Sequence, residues 1–161
     1  MSKVVSQVSI NAPAYQVWEA LLDSRRISQW APNAAKLDSL VELSGGSSSP
    51  RYFHYDLYST VKEQLTQLDA GRSYSYVVSN AGPIKSANSS FSLNDSGGAT
   101  VLSHTVEFQM KYGPVGVIAD SLVFRPQFRK QMEAGLAALK NFIEAQDEIA
   151  TLPNDVHQLA A

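Results

Sequence analysis

The sequence contains no cysteine, which excludes a disulfide framework, a zinc-thiolate site and a thiol nucleophile. Charged residues are scarce at 17%, and the formal net charge is only −2. Nucleic-acid binding needs a clustered basic surface, so these values argue against it. No apolar run approaches the roughly 20 residues of a membrane span, and the N-terminus lacks the apolar core of a signal peptide. We therefore expect a soluble cytoplasmic protein.

Motifs for metal, phosphate and acyl-transfer chemistry are also missing. The three histidines, His54, His104 and His157, show no helical i, i+4 pairing, so no metal site is predicted. The glycines at 45–46 are not followed by the Gly-Lys-Ser/Thr of a phosphate-binding loop, and no Gly-x-Ser-x-Gly elbow occurs. The sequence predicts no cofactor.

A chain of 161 residues fits one domain that can bury a core without a disulfide or a metal. We expect the domain to span 1–147 and a C-terminal tail to occupy 148–161. Residues 4–10 mostly alternate between apolar and polar and predict a first strand. Asn11 and Pro13 then indicate a helix start, with a capping side chain and a first-turn proline.

Two short helices are predicted after the first strand. The second carries Ile27 and Trp30; Asp23-Ser24 can cap it, and Pro32 ends it. The first has one apolar stripe at helical spacing. That stripe consists of Ala14, Val17, Trp18, Leu21 and Leu22.

From residue 36 onward the apolar spacing changes from helical to alternating, which indicates strands. The segment 94–98, Asn-Asp-Ser-Gly-Gly, is a strong hairpin signal. Six consecutive strand-like runs joined by short turns predict an antiparallel meander. These runs are 37–43, 51–58, 60–68, 73–79, 86–93 and 100–111.

The helical spacing returns after Gly113-Pro114 and predicts one long amphipathic helix. Its apolar stripe consists of Phe128, Met132, Leu136, Leu139, Phe142 and Ile143. Pro126 either kinks a helix spanning about 115–147 or lies in the first turn of a helix that begins there. A single helix covers a curved sheet incompletely, so this α+β arrangement predicts a cavity between them.

Several segments of the sequence match a known family: 10–21, Asp23, Trp30, Lys62-Glu63, Leu68-Asp69, Ser75-Tyr76, 97–100 and 135–140. In these segments the chain resembles the START-like, helix-grip superfamily, in particular its bacterial polyketide cyclase/dehydrase and lipid-transport branch. The resemblance covers about residues 3–146 and implies a birch-pollen-allergen-like fold. In that fold a curved antiparallel sheet of about seven strands wraps around a long C-terminal helix, with two short helices after the first strand. His104 departs from the family, because many relatives place an aromatic residue there.

Strand parity predicts which side chains face the cavity. His104 shares its parity with Leu102, Val106, Phe108 and Met110, and we expect Trp30 to close one end of the cavity. In the run 51–58, two alternating sets compete for the inner face, and the set containing Phe53 and Tyr55 is the more apolar. The predicted ligand-binding residues are Trp30, Phe53, Tyr55, Tyr74, Tyr76, Phe91, His104, Val106, Phe108, Phe128 and Met132.

Three functions remain open. The first is binding of an apolar small molecule such as a lipid, an aromatic polyketide or an isoprenoid. The second is a polyketide cyclase or dehydratase in which His104 and Tyr76 are the catalytic residues that move protons. The third is a partner-binding module, in which the surface around Arg125 and Arg129 would contact another protein. The aromatic-rich strands and the loop at 45–50 are also compatible with a homodimer without requiring one.

Overall fold

The computed structural model describes residues 1–31, 36–37, 51–55, 58–79, 81–111, 113–115 and 123–151. These residues form one seven-stranded antiparallel sheet with the order β1-β7-β6-β5-β4-β3-β2. Its strands are β1 (Ser2–Ile10), β2 (Lys36–Leu37), β3 (Arg51–Tyr55), β4 (Tyr58–Asp69), β5 (Ser73–Ser79), β6 (Ile84–Ser96) and β7 (Ala99–Met110). The predicted meander is confirmed, and positions 38–43 of the predicted second strand lie outside the described residues.

The β6–β7 connection is a two-residue hairpin. Ser96 pairs with Ala99, so Gly97 and Gly98 are the only loop residues between the two strands. Their φ angles are 66° and 99°. A type I′ turn needs positive φ at both central positions, and its twist matches that of the flanking strands. The hairpin predicted from the glycine pair is confirmed.

Two short helices, α1 (Ala14–Leu22) and α2 (Ser24–Trp30), follow β1 as predicted. The capping role expected of Asn11 is wrong. Pro13 occupies the N-cap position of α1, and no side chain caps the helix. Asn11 lies two residues before that position, and its backbone N–H donates instead to Glu144 Oε1 at 2.8 Å. Asn11 therefore joins the first strand to the C-terminal helix.

The long helix α3 (Arg125–Thr151) begins at Arg125. Pro126 is the second residue of this α-helix, and residues 123–124 directly before the helix are π-helical. Residues 113–115 are also helical and 116–122 lie outside the described residues, so both alternatives for Pro126 stay predictions. The helix continues past residue 147, and 152–161 lie outside the described residues. Within the described part of the chain, no helix is long and apolar enough to cross a membrane.

The core consists of two apolar clusters. The first lies near α1 and the second near the start of α3. Helix α3 contributes to both, since its residues 136, 139 and 143 reach the first cluster and residue 132 reaches the second. The buried members of the first cluster are Ile10, Ala12, Val17, Ala20, Leu21, Tyr74, Phe91, Leu93, Leu102, Leu136, Leu139 and Ile143. Those of the second are Val4, Ala81, Ile84, Ala87, Val106, Phe108 and Met132.

Polar contacts attach α3 to β1, which is one edge of the sheet. The Lys140 ammonium donates to the Ser9 carbonyl oxygen at 2.7 Å, and Arg125 Nη2 donates to Ser2 Oγ at 3.0 Å. Lys140 also forms an ion pair with Glu144, 2.8 Å apart on the next helical turn. The helix consequently runs along the β1 side, and its side chains reach across the inner face of the central strands.

Candidate functional site

The inner face of the sheet has the parity that the sequence predicts. On β7, Leu102, Val106 and Phe108 are buried, and His104 lies between them on the same face. On β6, the buried set is Ala87, Ser89, Phe91 and Leu93. The inner face is nevertheless not sealed. Partly accessible side chains on it are Tyr76, Val78, His104 and Met110.

His104 is held on two sides by strand β6. Its ring stacks on Phe91, with ring centroids 3.9 Å apart and planes 10° apart. Its Nε2 is 2.8 Å from Ser89 Oγ, a hydrogen-bond distance. On its other side, Ser6 of β1 is the residue directly opposite in register. The stacking and the hydrogen bond together hold the imidazole in one orientation.

Burial among apolar side chains lowers the pKa of His104 to about 3. The imidazole is therefore neutral at physiological pH, with one N–H donor and one nitrogen acceptor. Among the described residues, none forms a hydrogen bond with its second ring nitrogen, Nδ1. His104 thus offers one neutral hydrogen-bonding atom in a region that is otherwise largely apolar.

Five side chains form a polar belt across the inner face: Ser6, His104, Ser89, Tyr76 and Glu63. Ser6 is opposite His104, and Ser89 is opposite Tyr76. Glu63 is opposite Val78, two residues from Tyr76 on β5. Three members of the belt are buried, with exposed fractions of 6% for Ser6, 2% for Ser89 and 8% for Glu63. The belt lies between the two apolar clusters.

Aromatic side chains line the first cluster beside the belt. The Tyr74 ring stacks on Phe91 at 5.0 Å and meets the edge of Trp18 at 5.9 Å. Tyr76 stacks on Phe91 at 6.4 Å. Trp30 packs against the same cluster, and its indole N–H donates to the Ala20 carbonyl oxygen at 3.1 Å. That hydrogen bond fixes Trp30 to α1.

The second cluster contains three mutually packed phenylalanines. Phe108 meets the edges of Phe124 and Phe128 at 5.5 and 5.6 Å, and those two rings stack at 5.5 Å. Val106 and Met132 belong to the same cluster. The structure therefore brings together four predicted site residues, Val106, Phe108, Phe128 and Met132, and adds Phe124, which the sequence analysis missed.

Two of the predicted ligand-binding residues, Phe53 and Tyr55, lie on β3. Their backbones pair with β4, Phe53 opposite Val61 and Tyr55 opposite Tyr58. Their side chains lie outside the described part of the structure, so the inward direction of this strand stays a prediction.

Ser89 is a second site residue, beside Phe124, that is absent from the predicted ligand-binding set. It shares the strand parity of Phe91 and therefore lies on the inner face. The sequence does mark Ser89 as unusual, because it is a polar residue among the apolar inward-facing residues of β6. A buried hydroxyl requires a hydrogen-bond partner. That partner is His104. Within the described ranges, no three His, Asp or Glu side chains converge as a metal site would require.

Comparisons with known proteins agree on the fold. A family model described as polyketide cyclase/dehydrase and lipid transport matches residues 1–144. A search of curated proteins gives no match. Among solved structures, XoxI from Bacillus cereus has a TM-score of 0.70 at 18% identity and covers 91% of this chain and 99% of its own.

Two further solved structures share this architecture. A START superfamily protein from Mycobacterium smegmatis has a TM-score of 0.70 at 16% identity and covers 89% of this chain and 98% of its own. Ara h 8.0201 has a TM-score of 0.66 at 15% identity, with the same coverage of 89% and 98%. At these identities the likeness concerns the fold alone, and the predicted helix-grip fold is confirmed.

Proposed function

Because the chain belongs to the polyketide cyclase/dehydrase and lipid transport family, we propose that it binds an apolar small molecule between the sheet and the long helix. A lipid, an aromatic polyketide or an isoprenoid fits this description. The observation that carries the proposal is the neutral His104, set among aromatic side chains on an inner face that stays partly accessible. Such concave apolar sites with a few polar groups are typical of small-molecule binding.

The energetics favour binding by burial. Transfer of apolar surface from water contributes about 25 cal/mol per Å². A ligand of modest size that contacts both clusters would therefore be held mainly by apolar contact. His104 adds orientation, because a buried polar group on the ligand costs free energy unless it finds a hydrogen-bond partner.

The enzymatic alternative assigns proton transfer to His104 and Tyr76. Its supporting observation is that both lie on the polar belt, on neighbouring sides of Ser89. A general base works best when its pKa is near the working pH, and His104 has a pKa of about 3. Such an imidazole is a hydrogen-bonding group rather than an effective base. We therefore rank binding above a cyclase or dehydratase activity.

The partner-binding alternative draws on the basic residues at the start of α3. Arg125, the first of these, donates to Ser2 on β1 and so helps to attach the helix to the sheet. That contact gives Arg125 a structural role. We rank partner recruitment third.

Native mass spectrometry of the freshly purified protein, compared with its denatured mass, gives a direct test. The proposal expects a discrete adduct that is lost on denaturation, or, if the protein is purified empty, saturable binding of the neutral dye Nile red. The absence of both an adduct and dye binding would contradict the proposal.

A pair of tryptophan substitutions on β5 locates the bound dye. Val78 lies on the inner face and packs against the second cluster, whereas its neighbour Val77 has the opposite parity. We expect Val78→Trp to weaken Nile red binding by about tenfold, because the indole occupies space that the dye would fill. Val77→Trp is the matched control and should bind like the wild type. Equal loss in both variants would place the dye elsewhere.

A further inference from the structure

The polar belt restricts the class of ligand further than the description as an apolar small molecule does. Apolar clusters lie on both sides of it, with Phe91 and Leu102 on one side and Val106 and Phe108 on the other. His104 is between them in register, two residues from Leu102 and two from Val106 on the same strand. A ligand that contacts both clusters therefore crosses the polar belt, and along β7 the side chain it crosses is His104.

The hydrogen bond between His104 and Ser89 allows two arrangements of protons. A serine hydroxyl can donate or accept. When Ser89 donates to Nε2, the proton of the neutral ring lies on Nδ1, which is then a donor. When Ser89 accepts from Nε2–H, Nδ1 is an acceptor. The 2.8 Å separation of Ser89 Oγ and His104 Nε2 suits either arrangement.

The belt is also unsuited to a negative charge in the middle of the ligand. Among its members, His104 is neutral and Glu63 carries a carboxyl group, and none is Lys or Arg. Arg125 is attached to Ser2, whose partner in register is Phe108, so it lies beyond the second cluster from His104. A carboxylate at the His104 end of the belt would lose its hydration without a positive partner among the described side chains. Arg51 pairs in register with Glu63 at the opposite end of the belt, and its side chain lies outside the described residues.

We infer that the ligand is an uncharged molecule in which two apolar portions flank one hydroxyl or carbonyl oxygen, and that this oxygen hydrogen-bonds to Nδ1 of His104. The inference rests on the proposed function and deepens it. A carbonyl accepts from Nδ1–H in one proton arrangement, and a hydroxyl donates to Nδ1 in the other. The same site therefore accommodates an alcohol and the corresponding ketone.

Four probes with one framework test this inference: diphenylmethane, diphenylmethanol, benzophenone and diphenylacetate. Two phenyl groups flank a methylene, a hydroxyl-bearing carbon, a carbonyl or a carboxylate-bearing carbon. Each is titrated against bound Nile red in the wild type and in the double variant His104→Phe/Ser89→Ala. The double variant keeps a flat ring over Phe91 and leaves no buried polar partner unpaired.

The wild type should prefer benzophenone and diphenylmethanol to diphenylmethane. In the double variant this preference should fall by about tenfold, because the oxygen is then buried without a partner. Diphenylmethane itself should bind the two proteins equally, and diphenylacetate should bind the wild type least. The control Ser90→Ala/Thr105→Val changes a directly opposed pair of the other parity on the same strands, and it should keep the wild-type preference.

The results for the four probes and for Nile red test the proposed function and this inference separately. If diphenylmethane and Nile red bind but the oxygen atom makes no difference, or diphenylacetate binds as well as benzophenone, this inference is overturned while the proposed function stands. If none of the probes and no dye bind, both are overturned. A second measurement needs no variant. The ¹⁵N resonances of His104 should show Nδ1 protonated in the benzophenone complex, and an unprotonated Nδ1 at saturation would also overturn the inference.

Discussion

At the scale of single residues, His104 links stability to pH. Burial lowers its pKa to about 3 in the folded protein, against 6.5 for the free imidazole. Below pH 6.5 the unfolded chain therefore binds a proton that the folded chain does not. Above pH 6.5 His104 is neutral in both states and does not reduce the unfolding free energy. As the pH falls from 6.5 towards 3, protonation of the unfolded chain lowers that free energy. The loss is at most about 1.4 kcal/mol per pH unit.

We therefore predict that His104→Phe flattens the fall in unfolding free energy between about pH 6.5 and 4.5. Urea denaturation of both proteins at several pH values measures the two slopes. Carboxyl groups also titrate in the acid range, including Glu144, whose pKa is lowered chiefly by its hydrogen bond with Lys140. Those groups are common to both proteins, so the difference in slope reports His104. If the unfolding free energies of the two proteins fell in parallel with pH, folding would not lower the pKa of His104.

The inward direction of His104 could be predicted from its sequence, because parity on a long strand leaves only two faces. Its hydrogen bond with Ser89 could not be predicted, because it depends on the β6–β7 register and joins a diagonal pair rather than an opposed one. Asn11 shows the reverse error. The Asn-x-Pro pattern predicts a capping side chain for the adjacent helix. In the structure, the backbone N–H of Asn11 donates instead to the distant Glu144 carboxylate on α3. Long-range partners of this kind leave no mark on local sequence.

At the scale of elements, the β6–β7 hairpin depends on its two glycines. Gly97 has a φ of 66° and Gly98 a φ of 99°, and no atom lies within 4 Å of an added Cβ at either position. The cost of a substitution there is therefore one of backbone conformation rather than of collision. We predict that Gly97→Val lowers the unfolding free energy by about 1–2 kcal/mol, measured by urea denaturation.

Gly97→Asn is the matched control, because asparagine tolerates the left-handed region. It should stay within about 0.5 kcal/mol of the wild type. If the valine and asparagine variants were equally stable, the turn would not require positive φ at this position.

Element boundaries show where sequence patterns stop being informative. Strand β6 extends over Ile84–Ser96, whereas the alternation predicted only 86–93. Its last residues, Asn94–Ser96, are polar and exposed, and they are held by pairing with β7 rather than by burial. Pro126 is compatible with a kink inside a longer helix and with the first turn of a helix that begins there, because proline occurs at both kinds of position. The hydrophobic stripe of α3, in contrast, is strongly periodic. Of its six predicted positions, Met132, Leu136, Leu139 and Ile143 are buried, and Phe128 and Phe142 are partly buried.

At the scale of the whole molecule, the contacts that attach the long helix lie at one edge of the sheet, whereas most of the candidate site lies on the central strands. The polar contacts of α3 with β1 attach the helix to one edge of the sheet. The central strands β5, β6 and β7 carry three of the five side chains of the polar belt, Tyr76, Ser89 and His104, together with the aromatic side chains of Tyr74 and Phe91. The architecture followed from the order of elements and the family resemblance, since a single helix must cover a whole sheet. The space it leaves depends on the helix–sheet distance, which no sequence pattern encodes.

Ligand binding in that space should stabilise the entire domain. A ligand that binds only the folded state adds RT ln(1 + [L]/Kd), about 2.7 kcal/mol at a hundredfold excess over Kd. For a domain of this size, that raises Tm by roughly 5–10 °C. We expect benzophenone to produce this shift in the wild type and in Val77→Trp, measured by circular dichroism. Val78→Trp should show little shift, because its indole fills the same space. A shift of equal size in Val78→Trp would place the ligand outside the helix–sheet interior, whereas its loss in that variant alone ties the stabilisation to the inner face.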